Sequence, residues 1–298
     1  MAETGAVTVK VSVCVTTYNR APLLDRTLAS LAAQSRLPDE LIVSDDCSTD
    51  ETAAVVERHR ASFPRVVYHR NSENLYMPGN LNQAVSLAAG DYIANLHDAD
   101  EFAPTLLEKW ERALDEHPSA GFVFCGVAGF PRKGASGTQV LLHDVEPLTP
   151  GRVFLERHLL HTLSSIVWGT VMARRAAYAR LLPFDARFGF ISDVDMWLRM
   201  CERFDVAYVR EPLIVLDNSP TKERRFEWTT AESARIMRRE RIRSVFGGDP
   251  ERLRSEMKRH RRVARIYYLK RILGRIRHGD WPAAAAGCRL LMKIGRDG

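Results

Sequence analysis

The sequence predicts an α/β protein: a mixed, mostly parallel, doubly wound sheet flanked by helices, with a basic helical region at the C-terminal end. Three observations carry this. Strand-like β-branched runs alternate with helix-period segments between residues 9 and 127. Polar clusters stand at the carboxyl ends of three of those strand runs. Beyond residue 220 the charge balance reverses: residues 221–298 hold 22 Lys and Arg against 9 Asp and Glu, and residues 1–220 hold 21 against 28. The expected organisation is an acidic body over residues 1–220 and a basic helical region over 221–298.

Val9 to Thr16 is rich in β-branched residues and predicts the first strand. Asn19-Arg20-Ala21-Pro22 leads into a helix with apolar positions at Leu23, Leu24, Leu28 and Leu31. Leu41-Ile42-Val43 predicts a second strand, closed by Asp45-Asp46-Cys47-Ser48. Ser48 or Thr49 can cap the helix that runs to about Arg60. Val66-Val67-Tyr68 is a third strand, and Asn80 to Ala89 a helix stopped by Gly90. Tyr92 to Leu96 is the fourth strand and ends in a knot of acids. A helix over Thr105 to His117 and a strand over Gly121 to Val127 follow. From Pro131 the pattern weakens. Residues 131–150 read as a loop or hairpin, Leu163 to Met172 as a strand, Arg174 to Leu182 and Val194 to Cys201 as helices. Past Thr221 the chain reads as basic helices broken at Gly247-Gly248-Asp249-Pro250 and His278-Gly279-Asp280-Trp281-Pro282.

No apolar run approaches the roughly 18 residues of a membrane span. Residues 1–5 lack the basic-then-apolar pattern of a signal peptide. Five scattered cysteines form no metal or redox spacing. A cytoplasmic protein with reduced thiols is expected.

Asp98 and Asp100 end the fourth strand. In an extended segment residues two apart face one side, so both carboxylates can reach one object. Two hard oxygen ligands suit Mg²⁺ or Mn²⁺, which in turn suits a diphosphate. Taken alone, Asp-x-Asp is more plainly a solvated acidic loop. Thr16-Thr17-Tyr18 and Asp45-Asp46 stand at neighbouring strand ends, however, and ligands of doubly wound sheets bind beyond those ends.

Three segments resemble the family 2 glycosyltransferases of the GT-A, Rossmann-like nucleotide-diphospho-sugar fold. They are Val13-Cys14-Val15-Thr16-Thr17-Tyr18-Asn19-Arg20 with Ile42-Val43-Ser44-Asp45-Asp46-Cys47-Ser48-Thr49-Asp50; Gly90-Asp91-Tyr92-Ile93 through Asp98-Ala99-Asp100; and Phe184-Asp185 through Ser192-Asp193-Val194-Asp195-Met196-Trp197-Leu198-Arg199. The resemblance spans residues 10–220. It implies an inverting sugar transfer from a nucleotide-diphospho-sugar, UDP before dTDP, with Mg²⁺ or Mn²⁺ as cofactor. Thr16, Tyr18 and Asp46, with Asp45 adjacent, would hold the donor's base and ribose; a carboxylate can accept the N3–H of uracil or thymine. Asp98 would meet the ribose or the metal, and Asp100 the metal. Asp193 matches the base that takes the acceptor's proton. Asp195 fits structural stabilisation of a helix start, and Trp197 and Arg199 are candidates for the acceptor or diphosphate site, with plain packing an equal alternative for Trp197.

The chain departs from the family in two places. The usual His after the last core strand is missing from Val215-Leu216-Asp217-Asn218-Ser219-Pro220-Thr221-Lys222; Asp217 or Asn218 are candidate substitutes as metal ligands, and Lys222, Arg224 or Arg225 as diphosphate partners. The Arg that often precedes the Asn of the third helix is also missing, since the segment reads Asn80-Leu81-Asn82. His97 points away from Asp98 in an extended strand and reads as a packing or hydrogen-bonding residue. Acceptor-side candidates are His143, His158, His161 and Trp168 in the stretch 131–191, from which the acceptor cannot be named.

The basic helices over residues 235–277 interleave apolar positions with arginines. A solvated cap on the body, a peripheral contact with an anionic membrane, a polyanion site and an oligomer contact all fit that pattern. Two competing functions are weaker. A nucleotidyltransferase would open with a Gly-rich phosphate loop where Thr16-Thr17-Tyr18-Asn19 stands. A nucleic-acid-binding protein would leave the acidic edge and Asp193 unexplained.

Overall fold

The computed structural model describes residues 10–129, 139–163, 165–167, 169–217 and 228–294. In chain order its elements are β1 (Val11–Thr17), α1 (Ala21–Ala32), β2 (Glu40–Asp45), α2 (Thr52–His59), β3 (Val66–Arg70), α3 (Tyr76–Ser86), β4 (Tyr92–His97), β5 (Glu101–Phe102), α4 (Leu106–Glu116), β6 (Ala120–Ala128), β7 (Val140–Leu141), β8 (Leu148–Thr149), α5 (Gly151–Phe154), β9 (Val171–Arg174), α6 (Arg175–Ala179), α7 (Ser192–Cys201), β10 (Asp205–Val215), α8 (Trp228–Phe246), α9 (Pro250–Arg277) and α10 (Trp281–Ile294).

One sheet runs in the order β3-β2-β1-β4-β9-β6-β10-β5, with β7 on β6 and β8 on β10. The pairs β3–β2, β2–β1, β1–β4 and β6–β10 are parallel. β9 is antiparallel to both β4 and β6 and joins the two parallel halves. The expected mixed, mostly parallel sheet is present. Its strands alternate between two hydrophobic clusters. Cys14, Ile42, Ile93, Phe122 and Phe124 pack on one face; Val13, Val15, Val43, Leu96 and Val123 pack on the other. Strands covered on both faces read as continuous apolar runs, which is why β1, β2, β4 and β6 were legible.

Several boundaries move, for physical reasons. The strand expected over residues 163–172 is only β9. Neither Ser48 nor Thr49 caps α2: the Ser48 hydroxyl accepts from Asn19 N, and Asp50 takes the Thr52 N–H at 3.1 Å and the Ala21 N–H at 2.9 Å. One carboxylate thus serves the starts of both α1 and α2. β10 carries register shifts around Pro212, a bulge that breaks its two-residue alternation.

The basic region is not packed as a separate body. Met237, Ile242 and Phe246 of α8 and Met257 of α9 lie in the same apolar cluster as Phe122, Tyr178 and Trp197. A smaller cluster joins Ala231, Ala264, Tyr268, Ile272, Ala284 and Ile294 across α8, α9 and α10. No helix among the described residues is long and apolar enough to cross a membrane.

Candidate active site at the carboxyl edge of the sheet

The central register sets the site. Thr16 of β1 lies opposite Ser44 of β2 and His97 of β4, and Thr17 lies opposite Asp45. The segments that leave β1, β2 and β4 therefore start from one level. Tyr18 follows there, exposed, and Asn19 takes φ 51°.

Asp45 and Asp46 are both buried, and each carboxylate already accepts hydrogen bonds within the fold. Asp45 accepts from Ser48 N at 2.9 Å and from the Tyr68 hydroxyl at 2.6 Å. With both oxygens engaged and 1% exposure, it holds the β2 turn. Asp46 accepts from Asn71 Nδ2 at 2.9 Å and Leu75 N at 2.7 Å on Oδ1, and from Tyr76 N at 2.9 Å on Oδ2. Asn71 also donates to Asn80, whose amide is tied to Ser44. Asp46 thus fixes the loop before α3, where Tyr76 sits at φ 54° with its ring exposed. A non-glycine residue in that region is strained and held by its surroundings.

β4 ends at His97, so Asp98-Ala99-Asp100 is a turn and not the extended segment expected. The two carboxylates consequently have different partners. Asp98 pairs with Arg20 Nη1 at 3.1 Å. Burial pushes its carboxyl up, against the pull of Arg20 and the neighbouring Thr17 hydroxyl. Asp100 accepts the Asp217 N–H on Oδ1 at 3.1 Å, while its buried Oδ2 receives no hydrogen bond. The nearest cation is His97 Nδ1 at 3.4 Å. Asp217 therefore meets Asp100 through its backbone; its carboxylate lies 3.8 Å from Arg26 Nη2.

His97 does more than its strand position implies. Strand alternation does turn it from Asp98, but the turn brings Asp100 back to it. Burial lowers its pKa; the negative charge of Asp100, 3.4 Å away, with that of Asp193 and Asp98, outweighs this, and the net shift is upward. Across it stands Asp193, in the first turn of α7. A Cβ on Gly169 would lie 2.4 Å from His97 Nε2 and 2.9 Å from Asp193 Oδ2, so both groups front the same small space. Asp193 is nine-tenths buried and accepts the Val194 N–H at 2.7 Å. Burial holds its carboxyl above the ordinary range, with His97 pulling the other way.

Two other candidates are structural. Trp197 is fully buried, with ring centroids 5.5 Å from Phe122 and 6.2 Å from Phe184. It fills the core, the packing alternative for this residue. Arg199 pairs with Asp195 at 2.7 Å and donates to the carbonyls of Leu181 and Pro183. It staples α7 to the preceding loop. His161 pairs with Glu256 of α9 at 2.9 Å. His158 lines a cleft of about 310 Å³ with Asp144, Glu146 and Arg157, its ring packed against Phe154, while the His143 ring lies 6.3 Å from that of Tyr208. Trp168, Asn218, Lys222, Arg224 and Arg225 lie outside the described residues.

No group of three or more His, Cys, Asp or Glu among the described residues forms a metal cage. The donor set fits a more open arrangement. Mg²⁺ is commonly held by one or two carboxylates, with water and substrate phosphates completing the shell. The unengaged Asp100 Oδ2 supplies one hard oxygen, and Asp98 stands on the same turn.

A mixed sheet with nucleotide-type strand ends, an acidic turn after β4 and a buried Asp at a helix start defines the GT-A class of sugar-nucleotide transferases. The chain belongs to this class by sequence as well: the family model "Glycosyl transferase family 2" matches residues 12–182, and the protein is a member of that family. It is similar to a putative glycosyltransferase, EpsE, of Bacillus subtilis, with 31% identity over 74% of this chain and 78% of the relative. Among solved structures it resembles S. aureus TarS 1–349 in complex with UDP-GlcNAc, with TM-score 0.67 and 20% identity over 84% of this chain and 72% of that one. It spans only 43% of the longer TarS chain. The mannosyltransferase PcManGT of Pyrobaculum calidifontis, in complex with GDP-Man and Mn²⁺, matches with TM-score 0.54 and 19% identity over 96% of this chain and 81% of that one. These likenesses speak for the fold. The chain is a glycosyltransferase with a nucleotide-sugar donor.

Proposed function

We propose that the chain is an inverting, metal-dependent transferase that moves a sugar from a UDP-sugar to an acceptor hydroxyl. The observation that carries this is the pair of buried acids around His97: Asp100, with one oxygen unengaged, and Asp193, facing it across the space beside Gly169. Tyr18 and the loop fixed by Asp46 border the base and ribose. The remaining acceptor capacity of Asp46 faces a pyrimidine N3–H, whereas Asp45 supports the turn from behind. Asp98 orients Arg20 toward the diphosphate. Asp100 and Asp98 would hold a divalent cation, which would supply charge neutralisation at the diphosphate. Asp193 takes the proton from the acceptor hydroxyl as that oxygen attacks the anomeric carbon. Its raised pKa suits a general base, because a buried carboxylate binds a proton more avidly than an exposed one. One displacement needs no covalent enzyme intermediate and inverts the anomeric centre.

The test is a thermal-shift panel of UDP-, dTDP- and GDP-sugars with and without Mn²⁺, on the wild type and Asp100→Ala. Stabilisation by UDP-sugars that needs both metal and Asp100 is expected. A response to GDP-sugars alone would overturn the donor assignment, and no response to any nucleotide would overturn the site.

A further inference from the structure

The exposed side of α9 carries a stripe that its role as a structural cap does not use. Met257, His260, Ala264, Tyr268 and Ile272 form the buried face. Tyr268 stacks on Trp228 at 5.6 Å. On the opposite face Ile266, Leu269, Leu273 and Ile276 are all exposed, Leu273 to 63%. Their spacing of three, four and three residues keeps them on one side of a helix with about 3.6 residues per turn. Trp281, also 63% exposed, stands just beyond the α9–α10 turn.

The borders of the stripe are cationic. Arg265, Lys270 and Arg277 are exposed along its edges, Arg262 continues its line one turn toward the N-terminus, and residues 257–279 contain no Asp or Glu. A polyanion groove would place cations along the middle of such a face. Here branched aliphatic side chains occupy the middle and long cationic side chains the edges. That is the pattern of a helix lying in the interface of an anionic bilayer: the apolar side chains enter the acyl boundary, Arg and Lys reach back to the phosphates, and Trp sits at headgroup level.

We propose that the outer face of α9, with Trp281, docks the enzyme on an anionic membrane surface, lying on it and not crossing it. The inference concerns the tail alone and holds whichever donor the acidic edge binds. Its test needs no sugar transfer, so its failure and that of the donor site are distinguishable.

The full chain is sedimented with vesicles of phosphatidylcholine alone and of phosphatidylcholine with phosphatidylglycerol. Binding to the acidic vesicles only, weakened by salt, is expected. Leu269→Glu with Leu273→Glu should cut the partition coefficient about tenfold or more, and Arg265→Gln with Lys270→Gln should weaken it and flatten its salt dependence. Melting temperatures check that the exposed substitutions leave the fold intact, and the milder Leu269→Ser/Leu273→Ser pair repeats the comparison if the Glu pair does not fold. Wild type left in the supernatant, or a Glu variant that still sediments, overturns the proposal. A wild-type dimer that Leu273→Glu splits, with no vesicle binding, assigns the stripe to a second copy instead.

Discussion

Asp100 at the sheet edge and Arg238 in α8 are both buried ionic side chains, and they are treated in opposite ways. Arg238 donates from Nε to the Leu159 carbonyl at 2.9 Å and from Nη1 to the Ala234 carbonyl at 3.1 Å. Burial brings its pKa down to about 10. His260, in the same helical region, is pushed down to about 4 by burial and by the nearby Arg238 and Arg235, so it is neutral. The tail buries Arg238 on backbone carbonyls, Arg235 against the Glu232 carboxylate at 2.7 Å, and His260 discharged. At the sheet edge, Asp100 Oδ2 takes no hydrogen bond and has His97 Nδ1 3.4 Å away, and Asp193 accepts from the Val194 N–H. Unmet polar capacity in a core is destabilising unless something else uses it. The tail has open capacity as well, at Arg241 Nε; what sets the sheet edge apart is that Asp100 and Asp193 converge on one histidine, His97.

The largest expected effect comes from Asp193→Asn. Transfer should fall about 10²- to 10⁴-fold, the usual contribution of a general base, with donor binding kept. Stability should hold or rise at neutral pH. The folded-state pKa of Asp193 lies above the unfolded one, so the folded state binds the extra proton and this carboxylate opposes folding increasingly as pH rises. Turnover that survives would remove Asp193 as the base, and a large drop in melting temperature would make it a structural acid. Arg238→Ala should do the reverse: about 3 kcal/mol of unfolding free energy lost in denaturant titration, with the donor thermal shift of the remaining folded protein unchanged. A pH–rate profile is next. The base must be ionised, so the acid limb should fall through a pKa above the ordinary carboxylate value, and a limb near the value of a free Asp would contradict the burial argument. The smallest effect belongs to Arg187→Ala. Its pairs with Asp185 and Glu240 are exposed and should be worth about 0.5 kcal/mol or less.

The two regions differ in how far their sequence discloses them. β1, β2 and β4 were legible because strands covered on both faces are apolar throughout, and the polar ends that follow them stand out. Asp98 and Asp100 stood out for the same reason, and Asp193 through the family resemblance of the segment Ser192 to Arg199. His97 did not, because strand alternation is a local rule and the turn at Asp98–Asp100 reverses its consequence. Trp197 and Arg199 looked like site residues by adjacency to Asp193. On a helix, residues four and six beyond a site position need not share its surroundings, and burial is set by β6 and the loop before α7. Gly169 carried no signal, since only the approach of His97 and Asp193 from distant segments gives it meaning. The tail's dual character was only half visible: arginines announced a basic surface, while the Met237, Ile242 and Phe246 contacts with the catalytic core come from positions far apart in sequence.

Those contacts bear on how such a chain can be recombined. Cutting after residue 220 would strip Met237, Ile242 and Phe246 from the cluster that also houses Trp197 and leave a hole beside α7. A chimera that exchanges the C-terminal part between relatives should therefore keep α8 with the catalytic half and splice near Gly247–Gly248, where α8 ends and α9 has yet to begin. The portable cassette is the α9–α10 hairpin, and a donor cassette must supply Met257 for the main core and Ala264, Tyr268 and Ile272 for the contact with Ala231 and Trp228 of α8.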